Sequence, residues 1–137
     1  MSYPNKIAIV LEDSLQSWQK INVSCFLASA VAIKFPETHG RALVSASGSE
    51  FLPFIKHPVL VYKAGSVEKL KRAFNRARER DLELGIYTKA LFNTKNEEEN
   101  IAEIAAVTDE QLDLAGIIIY GENRKVNKAL DGLKLHE

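Results

Sequence analysis

Two adjoining segments, residues 6–11 (KIAIVL) and residues 17–34 (SWQKINVSCFLASAVAIK), decide the fold of this chain. The first is a short apolar run rich in strand-forming residues, which is typical of a strand covered on both faces. The second places apolar residues around most of a helix, so we expect a long helix covered by the sheet and also by a partner subunit or the loop that follows. A buried strand followed by such a helix predicts an α/β domain.

The rest of the chain continues the alternation of strands and helices. Further strands are predicted at residues 58–63, 84–88 and 115–120, and a helix that buries one face is predicted at 66–81, with Ser66 as its N-cap. Another helix is expected over residues 97–107, opened by a capping box at Thr94 or Asn96. Strands that alternate with helices predict a three-layer α/β/α sandwich.

Residues 35–57 form the least regular segment, because prolines and glycines interrupt it. Residues 41–44 and 50–55 are expected to pair as a short hairpin. A connection of this length inside a compact domain is often functional or part of an interface.

Length and composition limit the class of protein. A chain of 137 residues fits a single domain over residues 1–137. Its 18 basic and 18 acidic residues balance, so the molecule as a whole should not attract nucleic acid or an anionic membrane. One cysteine, no signal-peptide pattern and no apolar run near the roughly 20 residues of a membrane span predict a cytoplasmic protein.

The usual catalytic and metal-binding motifs are missing from the sequence. Glu12 and Asp13 follow the first strand where a nucleotide-binding fold needs glycines, and no nucleophile elbow is present. His39, His57 and His136 lack the spacing of metal ligands. The sequence therefore predicts neither a cofactor nor a metal. Cys25 is interpreted as a small apolar residue in mid-helix rather than as a nucleophile.

Two polar features have both a structural and a functional interpretation. Asn22 lies on the helix predicted to be buried, so its amide either ties helix to loop or faces a cleft. Helix 66–81 has six basic and three acidic residues. It is either a solvated face beside the acidic segment 97–110 or a surface for phosphates, and we favour the solvated face.

Three long stretches together resemble one family. They are KIAIVLEDSLQSWQKINVSCFLASAVA (6–32), PVLVYKAGSVEKLKRAFNRARERDLELGIYT (58–88) and LDLAGIIIYGENRKVNKALDGLKLH (112–136). They look like the family called domain of unknown function 2000, and WQKINV (18–23) is the most specific element. The resemblance implies a fold similar to type II peptidyl-tRNA hydrolases, with a mixed four-stranded sheet flanked by helices in a chain that is commonly dimeric.

The residues that the hydrolases use are mostly replaced here. By resemblance, Lys20 stands where they have the catalytic lysine and Asp13 keeps their aspartate, but Gln19 replaces a glycine. Ser24 and Leu27 replace their glutamine and histidine, and their Asp-Ala-Gly-x-Thr segment falls opposite YTKAL (87–91).

These replacements favour a non-catalytic binding or regulatory domain, which would hold a small polar ligand or a partner at Asp13, Asn22, Tyr87 and Thr88. The rival hypothesis is a diverged hydrolase of peptidyl-tRNA or another acyl ester, with Lys20 and Asp13 at one water-accessible cleft and helix 66–81 on RNA phosphates. A third is a structural dimer that acts within a larger assembly. Under each of these three hypotheses we expect a homodimer formed through helix 17–34 or segment 35–57.

Overall fold

The structure, a computed structural model, describes residues 3–137 and contains seven strands and four α-helices within them. In chain order these are β1 Asn5–Glu12, α1 Ser17–Lys34, β2 Leu43–Val44, β3 Glu50–Phe51, β4 Val59–Ala64, α2 Val67–Glu79, β5 Glu83–Thr88, α3 Glu97–Ala105, β6 Leu114–Glu122, α4 Asn123–Ala129 and β7 Lys134–Leu135.

The main sheet is mixed and has the strand order β5-β6-β1-β4-β7. β1 runs parallel to β4 and antiparallel to β6, with Ile9 between Val61 and Ile118. All four predicted strands lie in this sheet. The predicted count of four was wrong, because β7 adds a fifth strand antiparallel to β4. A two-residue strand is too short to show a period in the sequence.

Helices cover both faces of the sheet and make three layers. Ala8, Val10 and Ile119 pack with α2 and α4 on one face, whereas Ile9 and Ile118 pack with α1 on the other. Strand side chains alternate between faces, so β1 and β6 contribute to both cores. This double burial explains why their sequences are almost continuously apolar.

Within this chain the α1 helix buries one face only, against the sheet. Of the two covers expected on its other side, the following loop does not supply one, and a partner subunit stays a prediction. Val23, Leu27 and Val31 lie one turn apart against the sheet. The opposite side, which includes Ile21 and Cys25, is exposed because segment 35–57 does not cover it. Cys25 is therefore exposed in a single chain, and its interpretation as a small apolar residue rather than a nucleophile stays a prediction.

Segment 35–57 forms the predicted hairpin, which stands apart from the main sheet. β2 pairs with β3 through Leu43↔Phe51 and Val44↔Glu50. Gly48 supports the turn with φ +85°, a conformation that side chains other than glycine rarely adopt. The hairpin is anchored near the C-terminal end of α1, where His39 lies 2.6 Å from the carbonyl oxygen of Ala32.

The predicted helix starts at Ser66 and Asn96 are confirmed. The Ser66 hydroxyl accepts a hydrogen bond from the Lys69 amide at 3.2 Å, and the Asn96 side chain accepts one from the Glu99 amide at 2.9 Å. Across residues 3–137, no helix combines the length and apolar character that a membrane crossing requires.

Candidate functional site

Lys20 is the centre of a polar cluster at the carboxyl end of β1. Its ammonium group donates a hydrogen bond to Asp13 Oδ1 at 3.0 Å, and its side chain is only 17% exposed. Asp13 follows β1 directly, so the strand fixes the carboxylate while α1 carries the lysine. The hydrogen bond from Lys20 lowers the pKa of Asp13 below its ordinary value, although partial burial opposes the shift. The Asp13 carboxyl group is therefore ionised at neutral pH.

His136 joins this cluster from just beyond β7. Its Nε2 lies 3.0 Å from Lys20 Nζ and its Nδ1 lies 3.0 Å from the backbone oxygen of Glu137. An ammonium group only donates, so Nε2 accepts from Lys20 and the proton of a neutral ring sits on Nδ1. The backbone amide of His136 donates to the carbonyl of Val61 at 2.8 Å, which holds the histidine against β4.

A second ion pair flanks the first. Lys63 on β4 donates to Glu137 Oε2 at 2.5 Å. This hydrogen bond lowers the pKa of Glu137 and raises that of Lys63. Two ammonium groups therefore face two carboxylates, and the cluster as a whole is close to neutral when His136 is uncharged.

The same cluster contains three groups with the chemistry of metal ligands. Ligand atoms of Asp13, His136 and Glu137 lie within 4.8 Å of one another. Lys20 and Lys63 already donate to the two carboxylates, so a divalent cation would meet two ammonium groups in the same space. The arrangement does not favour a metal centre.

The cluster forms one end of an open cleft of about 500 Å³ between the first half of α1 and the β4–β7 side of the sheet. Leu11, Ile21 and Val61 supply its apolar walls. Ser17, Ser24 and Cys25 from α1 complete its lining together with Lys20, His136 and Glu137. The Ser24 hydroxyl is engaged, because it donates to the carbonyl oxygen of Lys20 at 2.8 Å. The cleft thus combines an apolar body with a charged end.

Asn22 and Tyr87 come together at a different place. The Asn22 amide donates to the Tyr87 hydroxyl at 3.4 Å, on the β5 side of α1. Lys20 and Asn22 are two residues apart, so their side chains leave the helix roughly 160° from each other. The four predicted binding residues are therefore divided, with Asp13 beside Lys20 and with Asn22 and Tyr87 across the helix.

Tyr87 and Thr88 are both buried at the end of β5. Burial raises the pKa of Tyr87, and the hydrogen bond from Asn22 partly offsets that rise. Tyr87 lies in an aromatic group with ring centroids 5.7 Å from Phe26 and 5.1 Å from Phe92. Asn22 thus gives the Tyr87 hydroxyl a hydrogen-bond partner at the edge of this aromatic group. A role of these residues in binding stays a prediction.

His136, Glu137 and Lys63 are site residues that sequence reasoning missed. No spacing connects them to Asp13 or Lys20, since β7 brings His136 and Glu137 to the cluster by pairing with β4, and β4 brings Lys63 there by pairing with β1. A strand of two residues shows no period, so the sequence carried no signal for this position.

Several basic residues of α2 have partners within the chain. Arg78 forms an ion pair with Asp109 at 3.0 Å, and Arg76 donates to the carbonyl oxygen of Asp131 at 2.9 Å. Lys71 donates to the carbonyl oxygen of Asp109 at 2.6 Å. These contacts fit the interpretation as a solvated face beside acidic residues.

The fold and the cleft define a small α/β domain with a mixed sheet covered by helices on both faces. The chain belongs to the family described as protein of unknown function (DUF2000), whose model matches residues 5–137. The resemblance to this family is thereby confirmed.

A solved structure agrees with this assignment. It is that of a protein of unknown function from Agrobacterium tumefaciens strain C58, to which this chain is similar with a TM-score of 0.94 and 27% identity over 99% of this chain and 100% of that one. Among curated proteins, no match to this chain was found.

Proposed function

We propose that this chain is a non-catalytic binding domain whose cleft holds a small ligand with one carboxylate or carbonyl group and a short apolar body. One observation carries the proposal: the Lys20 ammonium is held by Asp13 and His136 at the charged end of an apolar cleft. An ammonium has three N–H groups, and two of them have acceptors among residues 3–137. The third can donate to a ligand oxygen.

The charge around Lys20 limits the head group of the ligand. Asp13 and Glu137 offset Lys20 and Lys63, so the cleft has no surplus of positive charge for a phosphate. A single carboxylate or a carbonyl group fits this balance. Leu11, Ile21 and Val61 would bury an alkyl chain of a few carbons, each CH₂ contributing about 0.8 kcal/mol.

Hexanoate is a suitable probe, with hexanol and hexyl phosphate as analogues that change only the head group. Titration followed by ¹H–¹⁵N NMR should shift amides of residues 17–25, Val61 and His136, and hexanoate should bind more tightly than either analogue. Lys20→Met should weaken hexanoate binding at least about tenfold, because a charged hydrogen bond is lost. Lys34→Met is the matched control, since Lys34 is an exposed lysine on the same helix.

Two results would contradict this proposal. Equal binding of hexanoate to wild type and Lys20→Met would remove the lysine from the site. Shifts confined to Asn22, Tyr87 and Thr88 would move the site to the other side of α1.

A second candidate, a diverged hydrolase of the type II peptidyl-tRNA hydrolase fold, is favoured by one observation. Lys20 lines an open cleft and forms an ion pair with Asp13 beside it, so lysine and carboxylate are close to one water-accessible space, as that hypothesis requires. Other residues do not fit it. Leu27, which replaces the histidine of the hydrolases, is buried in the core, and Tyr87 and Thr88 are buried away from the cleft. Losing one oxyanion donor costs about 100–1,000-fold in rate, and several polar groups are replaced here.

We therefore expect negligible release of N-acetylated amino acid from a peptidyl-tRNA model substrate. Robust turnover by wild type, abolished in Lys20→Ala, would establish the hydrolase instead.

A cytoplasmic location is part of the binding proposal, and its support is the composition, with a single cysteine and balanced charge.

A further inference from the structure

A second cavity borders the ionic cluster and shares no lining residue with the cleft. It has a volume of about 200 Å³, and its lining includes Asp13 and three lysines, Lys63, Lys69 and Lys134. We call it the lysine cavity. Each ion pair of the cluster contributes one group to each space, because Lys20 and Glu137 line the cleft whereas their partners line the lysine cavity.

The lysine cavity lies at the carboxyl ends of two parallel strands. β1 and β4 are neighbours in the sheet, and the chain leaves β1 for α1 on one face and leaves β4 for α2 on the other. The two connections therefore diverge and leave a crevice between them, which is where open α/β sheets typically bind ligands. The Asp13 amide donates to the carbonyl oxygen of Ala64 at 2.9 Å, and this hydrogen bond joins the two strand ends.

The lysine cavity has a surplus of positive charge. Each of the two ion pairs is neutral, whereas Lys69 and Lys134 have no carboxylate oxygen within 4.0 Å among residues 3–137. Lys63 and Lys134 also stand directly opposite each other where β4 pairs with β7. Like charges in this cross-strand position repel each other. A bound anion would offset both the surplus charge and the repulsion.

We propose that the lysine cavity binds a dianionic phosphoryl group, either as free phosphate or as the end of a phosphorylated small molecule. Lys69 and Lys134 supply two positive charges, and lysine ammonium groups bind phosphate through charge-assisted hydrogen bonds. Lys63 completes the site, because its ammonium group has three N–H groups and donates one of them to Glu137. The proposal does not depend on the ligand of the cleft.

Titration with inorganic phosphate at constant ionic strength, followed by ¹H–¹⁵N NMR, tests the site. Amides of residues 63–69 and 132–134 should shift with a dissociation constant of about 1 mM or tighter, as two charged hydrogen bonds permit. Lys69→Met and Lys134→Met should each weaken binding at least about tenfold, because each removes one of these hydrogen bonds. Lys95→Met is the matched control, since Lys95 is an exposed lysine outside the cavity.

Two further ligands define the chemistry of the bound group. Ethyl phosphate that binds at least as tightly as inorganic phosphate would show that the cavity accepts the end of a phosphorylated molecule. Binding of inorganic phosphate alone would identify the free ion as the ligand. Acetate has one negative charge, so it should bind to the lysine cavity at least about tenfold more weakly than phosphate.

Thermal unfolding gives a second readout of the repulsion between Lys63 and Lys134. Without phosphate, Lys134→Met should unfold at the same temperature as wild type or at a higher one, because the variant removes the like charge opposite Lys63. Phosphate should then raise the unfolding temperature of wild type more than that of the variant, because wild type binds it more tightly.

Three outcomes would overturn the proposal. The first is the absence of a saturable shift at millimolar phosphate, which would leave Lys134 as an edge-strand lysine that only discourages pairing with other chains. The second is binding that neither Lys69→Met nor Lys134→Met weakens. The third is a set of shifts centred on Arg76 and Arg80 of α2. Hexanoate binding is followed through other amides, so the failure of one site leaves the other unaffected.

Discussion

His57 is a buried ionisable residue outside the cleft. It is 8% exposed and lies between Tyr3 and Tyr120, with ring centroids at 4.3 Å and 6.1 Å. Its Nδ1 has no hydrogen-bond partner among residues 3–137. Burial lowers the pKa of His57, Lys56 lowers it further, and Glu37 opposes both. The neutral ring is therefore the form that the folded chain accommodates.

This burial predicts how stability depends on pH. The unfolded chain binds a proton at His57 more readily than the folded chain, so the free energy of unfolding should fall as pH drops below about 6.5. Urea unfolding between pH 7.5 and pH 5.5 measures the slope of the free energy of unfolding against pH. His57→Phe should reduce this dependence of the free energy of unfolding on pH. An unchanged slope in His57→Phe would exclude this histidine as the cause.

At the scale of elements, α1 and β6 approach closely at Gly116. A Cβ atom at this position would lie 2.9 Å from Val23 Cγ1 and 3.1 Å from the carbonyl oxygen of Val10. Val23 is fully buried, so the contact leaves little room for adjustment. The glycine permits the helix to pack directly on the central strands and thereby places Lys20 and Asn22 on either side of the contact.

Gly116→Ala should therefore lower the free energy of unfolding by about 1–3 kcal/mol, as expected for overpacking. Gly65→Ala is the control and should be close to neutral, since no atom lies within 4 Å of the place that an added Cβ would take. Val23→Ala added to Gly116→Ala makes room for the new methyl group but also removes buried apolar atoms. The double variant should therefore recover only part of the lost free energy of unfolding. Denaturant unfolding of the four proteins measures these differences. A stable Gly116→Ala would show that α1 can move away from the sheet.

The sequence predicted the elements better than it predicted their partners. KIAIVL and AGIIIY are apolar at nearly every position because both faces of β1 and β6 are covered, and that pattern is visible in one dimension. The period of α1 shows that its circumference is apolar but not which side meets the sheet. Val23, Leu27 and Val31 were thus indistinguishable from the exposed Ile21 and Cys25 until the packing was known.

At the scale of the whole molecule, charge is balanced, with 18 basic and 18 acidic residues. On α2, Arg78 forms an ion pair with Asp109, and Lys71 and Arg76 donate to backbone carbonyl oxygens. Exposed ion pairs of this kind add little stability, but they reduce the positive field that a phosphate chain would meet. We therefore expect the surface of α2 to bind nucleic acid weakly.

We expect no saturable binding of a fluorescent 20-nucleotide RNA below about 100 µM protein at 150 mM KCl. A dissociation constant of about 100 µM lies at the weak end of non-specific binding. Fluorescence anisotropy measures the binding of the RNA. Micromolar affinity that falls steeply with salt and disappears in Arg72→Glu/Arg76→Glu would show that α2 binds nucleic acid. That result would also strengthen the hydrolase hypothesis.

The sequence by itself determined the α/β class, four strands of the main sheet, the long helix and the family, because apolar periodicity and family motifs are local properties. Tertiary structure decided the cleft. Asp13 and Lys20 are seven residues apart and could be paired from the sequence, but His136 and Glu137 join them only through the pairing of β7 with β4, and Lys63 joins them through the pairing of β4 with β1. It also decided which side of α1 faces the cleft, where Lys20 lies, and which side faces Tyr87, where Asn22 lies. Such long-range pairings depend on which surfaces bury each other, and no local pattern encodes them.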